Sequence, residues 1–460
     1  MTCLTLPYPN DSGDLFACFA SWPFAIFLDS GLDANTHRRF DIISAAPQKR
    51  LISYGRCQHL QTDNHTHYHN DTLFDVLKTE IAHHPRVSNA PKHLPFTTGA
   101  LGFMGYDVGH QLETLPHHRY QDIALPDAVI GLYDWSIVVD HQQQAAWLIS
   151  SLDAHHNTIT HILSTLKQPI PSSSYFQLQQ AFKPCITASE YQQAFHQLKQ
   201  HIRDGDCYQA NLCQRFQTTY QGSPFTAYQH LRQHHSSPFS GFFHTPWGDI
   251  LSHSPERFIR IQDRQVITQP IKGTAPRDAD PVKDTALAKA LLRSEKDRAE
   301  NCMIVDLLRN DLARTCDAVD VPALCELHSF PNVHHLISTV TGQQQIDQHS
   351  LDTLKTCFPG GSITGAPKIR AMEILAELEP FRRSAYCGSL LYCDTNGSLD
   401  SNILIRTLLC VNNTLYAYAG GGIVHDSQAD TEYQETLTKI GRLLQLLEST
   451  FLNSTKEPLC

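Results

Sequence analysis

No regular strand–helix–strand repeat runs through this chain, and that constrains its fold more than any single motif. Short β-rich runs and amphipathic helices are interleaved irregularly, which predicts α+β layers rather than a doubly wound parallel sheet. At 460 residues the chain exceeds one small core and forms two domains or one unusually large unit. Strands are predicted over Ala25–Leu28, Phe40–Ile43, Gly99–Met104 and Ser136–Val139, separated by Gly, Pro, Asn and Asp. The apolar run Leu15–Leu28 reads as a pair of buried strands. Gln168–Pro184, with Pro169, Pro171 and Ser172–Ser174, reads as a linker. The resulting division is an N-terminal region 1–165, a linker 166–186 and a second region 187–452.

The second region opens with a strong helix signal. Thr187 and Glu190 have capping-box spacing, and Tyr191, Ala194, Phe195, Leu198 and Ile202 repeat at the helical period until Gly205. Further helices are predicted over Asp297–Leu308, from Pro367 through Ile374, and from about Ser427. The last of these has Tyr433, Leu437, Ile440, Leu444 and Leu447 as its core stripe. Strands are predicted at Asn211–Thr219, Ser240–His244, Phe258–Gln262, Gln265–Thr268, Leu390–Tyr392, Ser401–Leu408 and Leu415–Ala419.

Charge and cysteine usage exclude several classes. A net charge of −10 argues against a nucleic-acid binder. Asp11 and Asp14 precede the run Leu15–Leu28 where a signal peptide carries Lys or Arg, and Pro23 interrupts it. It is too short to span a bilayer, so a cytoplasmic location is expected. The 14 cysteines contain no Cys-x-x-Cys pair and fit free thiols in a reducing compartment. His65, His67 and His69 alternate within a polar segment, which reads as an exposed hairpin or loop rather than a metal site.

Several segments can carry chemistry. Asp297 and Glu300 lie on one face of a predicted helix; Glu432 and Glu435 repeat that spacing in the early turns of another, away from its apolar stripe. Such acids complement a helix dipole or, together, hold a hard cation such as Mg²⁺. Phe358–Lys368 is a Gly-rich loop opening a helix, able to present N–H groups to an anion or simply to turn. It lacks the Gly-Lys-Ser/Thr ending of a nucleotide P-loop. Arg406 is a charge within an apolar strand and needs either an ion pair or a substrate carboxylate. Lys272, just after a strand, is a nucleophile only if burial or a neighbouring cation lowers its pKa; otherwise it is a surface charge. His335 is a candidate general base or hydrogen-bond donor.

Nine ordered segments tie these features together: Ser254–Arg257, Pro270–Thr274, Lys296–Glu300, Asp306–Asp311, Val333–Leu336, Phe358–Lys368, Tyr386–Ser389, Ile405–Thr407 and Gly420–Glu435. Their order resembles the chorismate-binding family, which includes anthranilate synthase component I, isochorismate and salicylate synthases, and aminodeoxychorismate synthase component I. The resemblance covers about residues 187–450. Phe27–Gly31, Arg39–Ile42, Gly99–Tyr106 and Cys207–Asn211 extend it to the last-named branch. It implies two stacked antiparallel sheets flanked by helices. It also implies that Glu300 and Glu435 bind Mg²⁺ with Asp297 and Glu432 outside them. Tyr386, Arg406 and the Gly421–Gly422 backbone would take the enolpyruvyl carboxylate. Gly273, Thr274 and Ser362 would contact substrate. Glu256 would protonate the departing hydroxyl, with His335 near the ring.

Position 272 separates branches. Anthranilate synthase-like members carry Ala there, whereas the aminodeoxychorismate branch carries Lys. The implied reaction is attack of Lys272 on chorismate C2, followed by ammonia at C4, giving 4-amino-4-deoxychorismate on the route to p-aminobenzoate and folate. No Gly-x-Cys-x-Gly segment is present, so a separate glutamine amidotransferase subunit is expected to supply ammonia. Relatives can hold tryptophan near a serine matching Ser30. The alternatives are an anthranilate or isochorismate synthase, or a catalytically silent tryptophan-binding subunit. Cys302 and His425 depart from the family pattern at positions without an implied role.

Overall fold

A computed structural model of the chain describes residues 1–32, 38–116, 120–171, 174–330 and 333–452. Within them the strands form two large antiparallel sheets, of 13 and 12 strands, flanked by helices. This is the α+β layered architecture expected. Both sheets take strands from each side of residues 166–186. Phe40–Ser44 and Trp135–Asp140 share one sheet with Gln209–Gly222 and Thr414–Ile423; in the other, Gly99–Met104 pairs with Ser389–Asp394. Within 166–186, Phe176–Leu178 and Lys183–Pro184 pair with Gln209–Gly222, while residues 172–173 lie outside the described residues. Among the described residues no helix is long and apolar enough to cross a membrane.

Apolar side chains from alternate strand positions fill the space between the sheets. Phe103 meets Phe243 there, ring centroids 6.3 Å apart. The other face of the first sheet packs Phe16, Phe27, Phe225, Tyr228 and Phe242 against helices Ser12–Ala17 and Pro224–His234. Each fully buried side chain of this size contributes roughly 1.5–3 kcal/mol. The Thr187–Glu190 capping box forms as predicted and starts helix Ala188–Arg203.

Three local expectations are corrected and a fourth is extended. Leu15–Leu28 is not two strands: helix Ser12–Ala17 precedes strand Ile26–Asp29, because a short continuous apolar run suits either element. Ser401–Leu408 divides into the end of Leu399–Asn402 and the start of Thr407–Val411, so Arg406 sits in an irregular connection with φ 49° rather than in a strand. Pro367 caps helix Lys368–Leu378 from outside instead of occupying its first turn. Lys272 does follow strand Gln265–Thr268, but it also lies inside a further strand, Ile271–Pro276, that was not expected. Two long partners, Cys316–Ser329 and Val333–Gln344, were not predicted as strands; repeated register shifts in the first break the alternation that marks a strand.

One buried ion pair joins the segments that will form the site. The fully buried Arg383 guanidinium donates to both Glu379 carboxylate oxygens, at 2.8 and 2.6 Å. It also donates to the carbonyls of Ile363, at 2.9 Å, and Asn211, at 2.6 Å. Glu379 in turn accepts from the Cys213 amide at 3.0 Å. Removing the cation strands a buried carboxylate. Arg383→Met is therefore expected to destabilise the protein by roughly 3–5 kcal/mol, read from the shift of its urea unfolding curve.

Candidate active site

Strands Gln265–Thr268 and Ile271–Pro276 run in succession along Val333–Gln344. The register shifts between Lys272 and Thr274, and Gly273 takes up the bulge with φ 81°. A Cβ there would lie 3.0 Å from Asp297 Cβ, so the bulge and the approach of helix Glu295–Leu312 both require glycine. Thr274 pairs with His335 across the strands, and the Thr274 hydroxyl meets His335 Nδ1 at 2.9 Å. Burial, reinforced by Arg406, lowers the His335 pKa to about 4. The imidazole is therefore neutral at pH 7 and suited to hydrogen bonding rather than to carrying charge.

Glu256 sits in the turn between strands Gly248–Ser254 and Arg257–Gln262 and is 5% exposed. Its carboxylate accepts a 2.7 Å hydrogen bond from Ser362 of the Gly-rich loop. Burial pushes its pKa up to about 7, against the opposing pull of Ser362 and Lys272. Half-buried Lys272 moves the other way: burial lowers its pKa, opposed by Glu300 and assisted by Lys439. Opposed shifts in neighbouring groups leave a carboxyl able to give a proton and an amine able to attack.

The acids of the two helices converge on one strand end. A Cβ on Gly421 would stand 3.2 Å from Glu432 Oε2 and 3.5 Å from Glu435 Oε1; one on Gly422 would stand 3.5 Å from Glu300 Oε2. Glu432 lies off the apolar stripe of helix Ala429–Phe451, as read from the sequence, but that position does not leave it in solvent. It is instead 2% exposed, because side-chain-free Gly421 lets the first turns pack a polar face onto the strand. Lys296 bridges Glu432 at 3.4 Å and Glu300 at 3.9 Å, and Lys439 holds Glu435 at 2.6 Å. Burial disfavours the charge on Glu435, but Lys439 outweighs it and holds the pKa below the ordinary value. Burial raises Glu300. Among the described residues, no group of three His, Cys, Asp or Glu side chains is arranged to chelate a metal. An all-carboxylate set with few direct ligands nevertheless suits Mg²⁺, which keeps waters and substrate oxygens.

The remaining predicted residues divide. Arg406 is half-buried, shows no ion pair among the described residues, and has His335, His235 and Arg442 in its electrostatic surroundings. An unpaired guanidinium beside neutral and cationic groups favours an anion. Tyr386 is buried and stacks on Tyr418 at 5.1 Å. Ser30 belongs to another buried network: its amide and hydroxyl donate to Asp41 at 2.8 and 2.7 Å, and Asp41 meets His141 at 2.7 Å. His67 and His69 lie on edge strand Thr66–His69, with His65 in the turn before it; the first two of the series are exposed.

Sequence reasoning missed Gln209. It is buried, its amide nitrogen lies 2.2 Å from where a Gly422 Cβ would be, and its carbonyl oxygen has no hydrogen-bond partner among the described residues. Its signals were a polar residue opening a long strand and its place in the Cys207–Asn211 segment, to which no role was given.

A family model described as chorismate binding enzyme matches residues 32–445. Aminodeoxychorismate synthase component 1 from Klebsiella aerogenes is 43% identical over 97% of this chain and 99% of that protein. The protein of that name from Escherichia coli K12 is 43% identical over 97% and 98%. Anthranilate synthase component I from Streptococcus pneumoniae shares the architecture with a TM-score of 0.79 at 31% identity, over 90% of this chain and 94% of that one. The menaquinone-specific isochorismate synthase of Escherichia coli, at 18% identity and a TM-score of 0.73, shares the fold.

The Glu256 environment makes a measurable demand. Difference infrared spectroscopy should show a protonated carboxyl band disappearing with a midpoint about pH 7, and Glu256→Gln should remove that band. Because the pKa is raised in the fold, the native state binds the extra proton between the ordinary carboxyl range and 7. Stability from this group therefore falls as pH rises through that window.

Proposed function

Since the chain belongs to the chorismate-binding enzyme family, we propose that it aminates chorismate at C4 to give 4-amino-4-deoxychorismate, with Lys272 as a covalent nucleophile. The observation that carries this reading is the pairing at the strand bulge. There, burial lowers the Lys272 pKa beside a Glu256 whose pKa is raised to about 7.

Arg406 supplies a cation for the enolpyruvyl carboxylate, with Tyr386 and the Gly421–Gly422 backbone beside it. Gly273, Thr274 and Ser362 border the ring. The uncharged Lys272 amine forms a bond to C2, both ring double bonds shift (C1=C2 to C1=C6 and C5=C6 to C4=C5), and the C4–oxygen bond breaks. Protonated Glu256 gives its proton to the departing hydroxyl, which leaves as water, and the resulting Glu256 carboxylate takes a proton from the new Lys272 ammonium. Ammonia then bonds to C4, both double bonds return, and the C2–Nζ bond breaks as Glu256 gives the proton back to Nζ, restoring the uncharged Lys272 amine; the C4 ammonium passes its extra proton to the Glu256 carboxylate. Neutral His335, held by Thr274, orients the reacting face. Glu300 and Glu435 would hold Mg²⁺, with Glu432 and Asp297 outside them. When bound, the ion supplies charge neutralisation for the ring carboxylate. Ammonia comes from a separate glutamine amidotransferase subunit, consistent with the "component 1" in the relatives' names. The reading is of a cytoplasmic enzyme on the route to p-aminobenzoate and folate.

Chorismate, Mg²⁺ and ammonium should yield 4-amino-4-deoxychorismate as the main product; anthranilate or isochorismate would overturn the reading. Chorismate without ammonia should give a protein adduct by mass spectrometry that is absent in Lys272→Ala. An identical adduct in that variant would remove the nucleophile role. Glu256→Gln should lower kcat by roughly 10²- to 10⁴-fold, measured with ammonium as donor.

A further inference from the structure

The turn that joins the glycine strand end to the acidic helix is held by a group that the reaction above does not use. Lys199 lies in helix Ala188–Arg203 and is 7% exposed. Its ammonium donates to the carbonyls of Val424 and Ser427, each at 3.2 Å, and to that of His425. These acceptors account for every N–H of an ammonium group. No carboxylate forms an ion pair with Lys199 among the described residues. With the Phe195 ring centroid 6.0 Å away as a further neighbour, a buried cation whose hydrogen bonds all go to backbone carbonyls fixes the positions of those carbonyls.

Those carbonyls occupy a critical place. Val424 follows Gly420–Ile423, and Ser427 precedes helix Ala429–Phe451, whose first turns carry Glu432 and Glu435. The turn is closed on itself: the Val424 amide donates to Ser427 Oγ and the Ser427 amide to the Val424 carbonyl, both at 3.1 Å. The helix itself starts at Gln428 without a side-chain cap. Helix Ala188–Arg203 adds two further ties to the same end. Gln192 donates to Asp430 at 2.8 Å, and Tyr191 packs against Tyr433 with ring centroids 5.4 Å apart.

We propose that Lys199 is a positioning residue for the acidic site: a tethered cation in a carbonyl cage that sets where Gly421, Gly422, Glu432 and Glu435 stand. The inference rests on the reading of those residues as the cation and substrate site. Lys199 touches neither substrate nor reacting atoms; it acts through the turn 424–427. Its removal leaves an open carbonyl cage with the shape and polarity for a small ammonium ion.

The test uses the full chain, with Mn²⁺ as a spectroscopic stand-in for Mg²⁺. Binding is followed by the loss of the free Mn²⁺ paramagnetic resonance signal, alongside hydrogen exchange of the 424–435 amides. Lys199→Ala should weaken Mn²⁺ binding by roughly 10- to 100-fold, the usual scale for groups that orient metal ligands. Added propylammonium should restore most of the loss, while leaving the wild type unchanged. Lys199→Met, of similar length and without donors, should show the same loss, no rescue, and faster exchange confined to 424–435. Equal Mn²⁺ affinity in wild type and both variants would overturn the proposal, as would unchanged exchange in that segment. A wild type that binds no Mn²⁺ would instead sink the metal reading. The exchange comparison then decides the Lys199 role alone. If Lys199→Ala does not fold, Lys199→Met carries both measurements.

Discussion

The geometry of the site depends on one fully buried guanidinium. Arg383 holds the Ile363 carbonyl beside Ser362, and Ser362 fixes the Glu256 carboxylate. The same group holds the Asn211 carbonyl, and Asn211 pairs in register with Gly422. Glu379 neutralises it and takes the Cys213 amide opposite Gly420. A buried ion pair is a poor source of net stability, since desolvation consumes much of its Coulomb gain. Its value here is geometric: it fixes the Gly-rich loop and the glycine strand end relative to each other, where apolar packing alone would tolerate small shifts.

On that frame the electrostatics follow from burial. Lys272 and Glu256 are both driven toward their uncharged forms by desolvation, and each partly opposes the other's shift. Glu300 pulls Lys272 back toward the charged form, while Lys439 pushes it away. Lys296 and Lys439 balance the acids that surround Gly421 and Gly422. An incoming dication and a substrate carboxylate would rearrange this balance as a set, because the lysines and the carboxylates share partners.

Much of the fold was legible because its signals are local. The Thr187–Glu190 box and the Gly99–Met104 run need no tertiary information, and both elements form where predicted. The site was legible in its acids, its lysine and its Gly-rich loop, though their roles came from the family's order of motifs. What failed depended on distant contacts. Cys316–Ser329 hides its strand character behind bulges, with Ala318 and Cys325 at φ 49° and 53°. The burial of Glu432 does not follow from its place off the apolar stripe, because only the fold reveals the bare strand end beneath it. Gln209 and Lys199 look like ordinary polar positions in a strand and a helix; their partners lie some two hundred residues away.

The central claim is that the fold keeps the Lys272 amine available as a nucleophile. Competitive acylation of the native enzyme across a pH series, with Lys272 followed by peptide mass spectrometry, measures this directly. The account predicts a midpoint for Lys272 below the ordinary lysine value of 10.5. It also predicts that the midpoint rises in Lys439→Met, because a neighbouring cation is lost. A Lys272 midpoint at or above 10.5 in the wild type would contradict it.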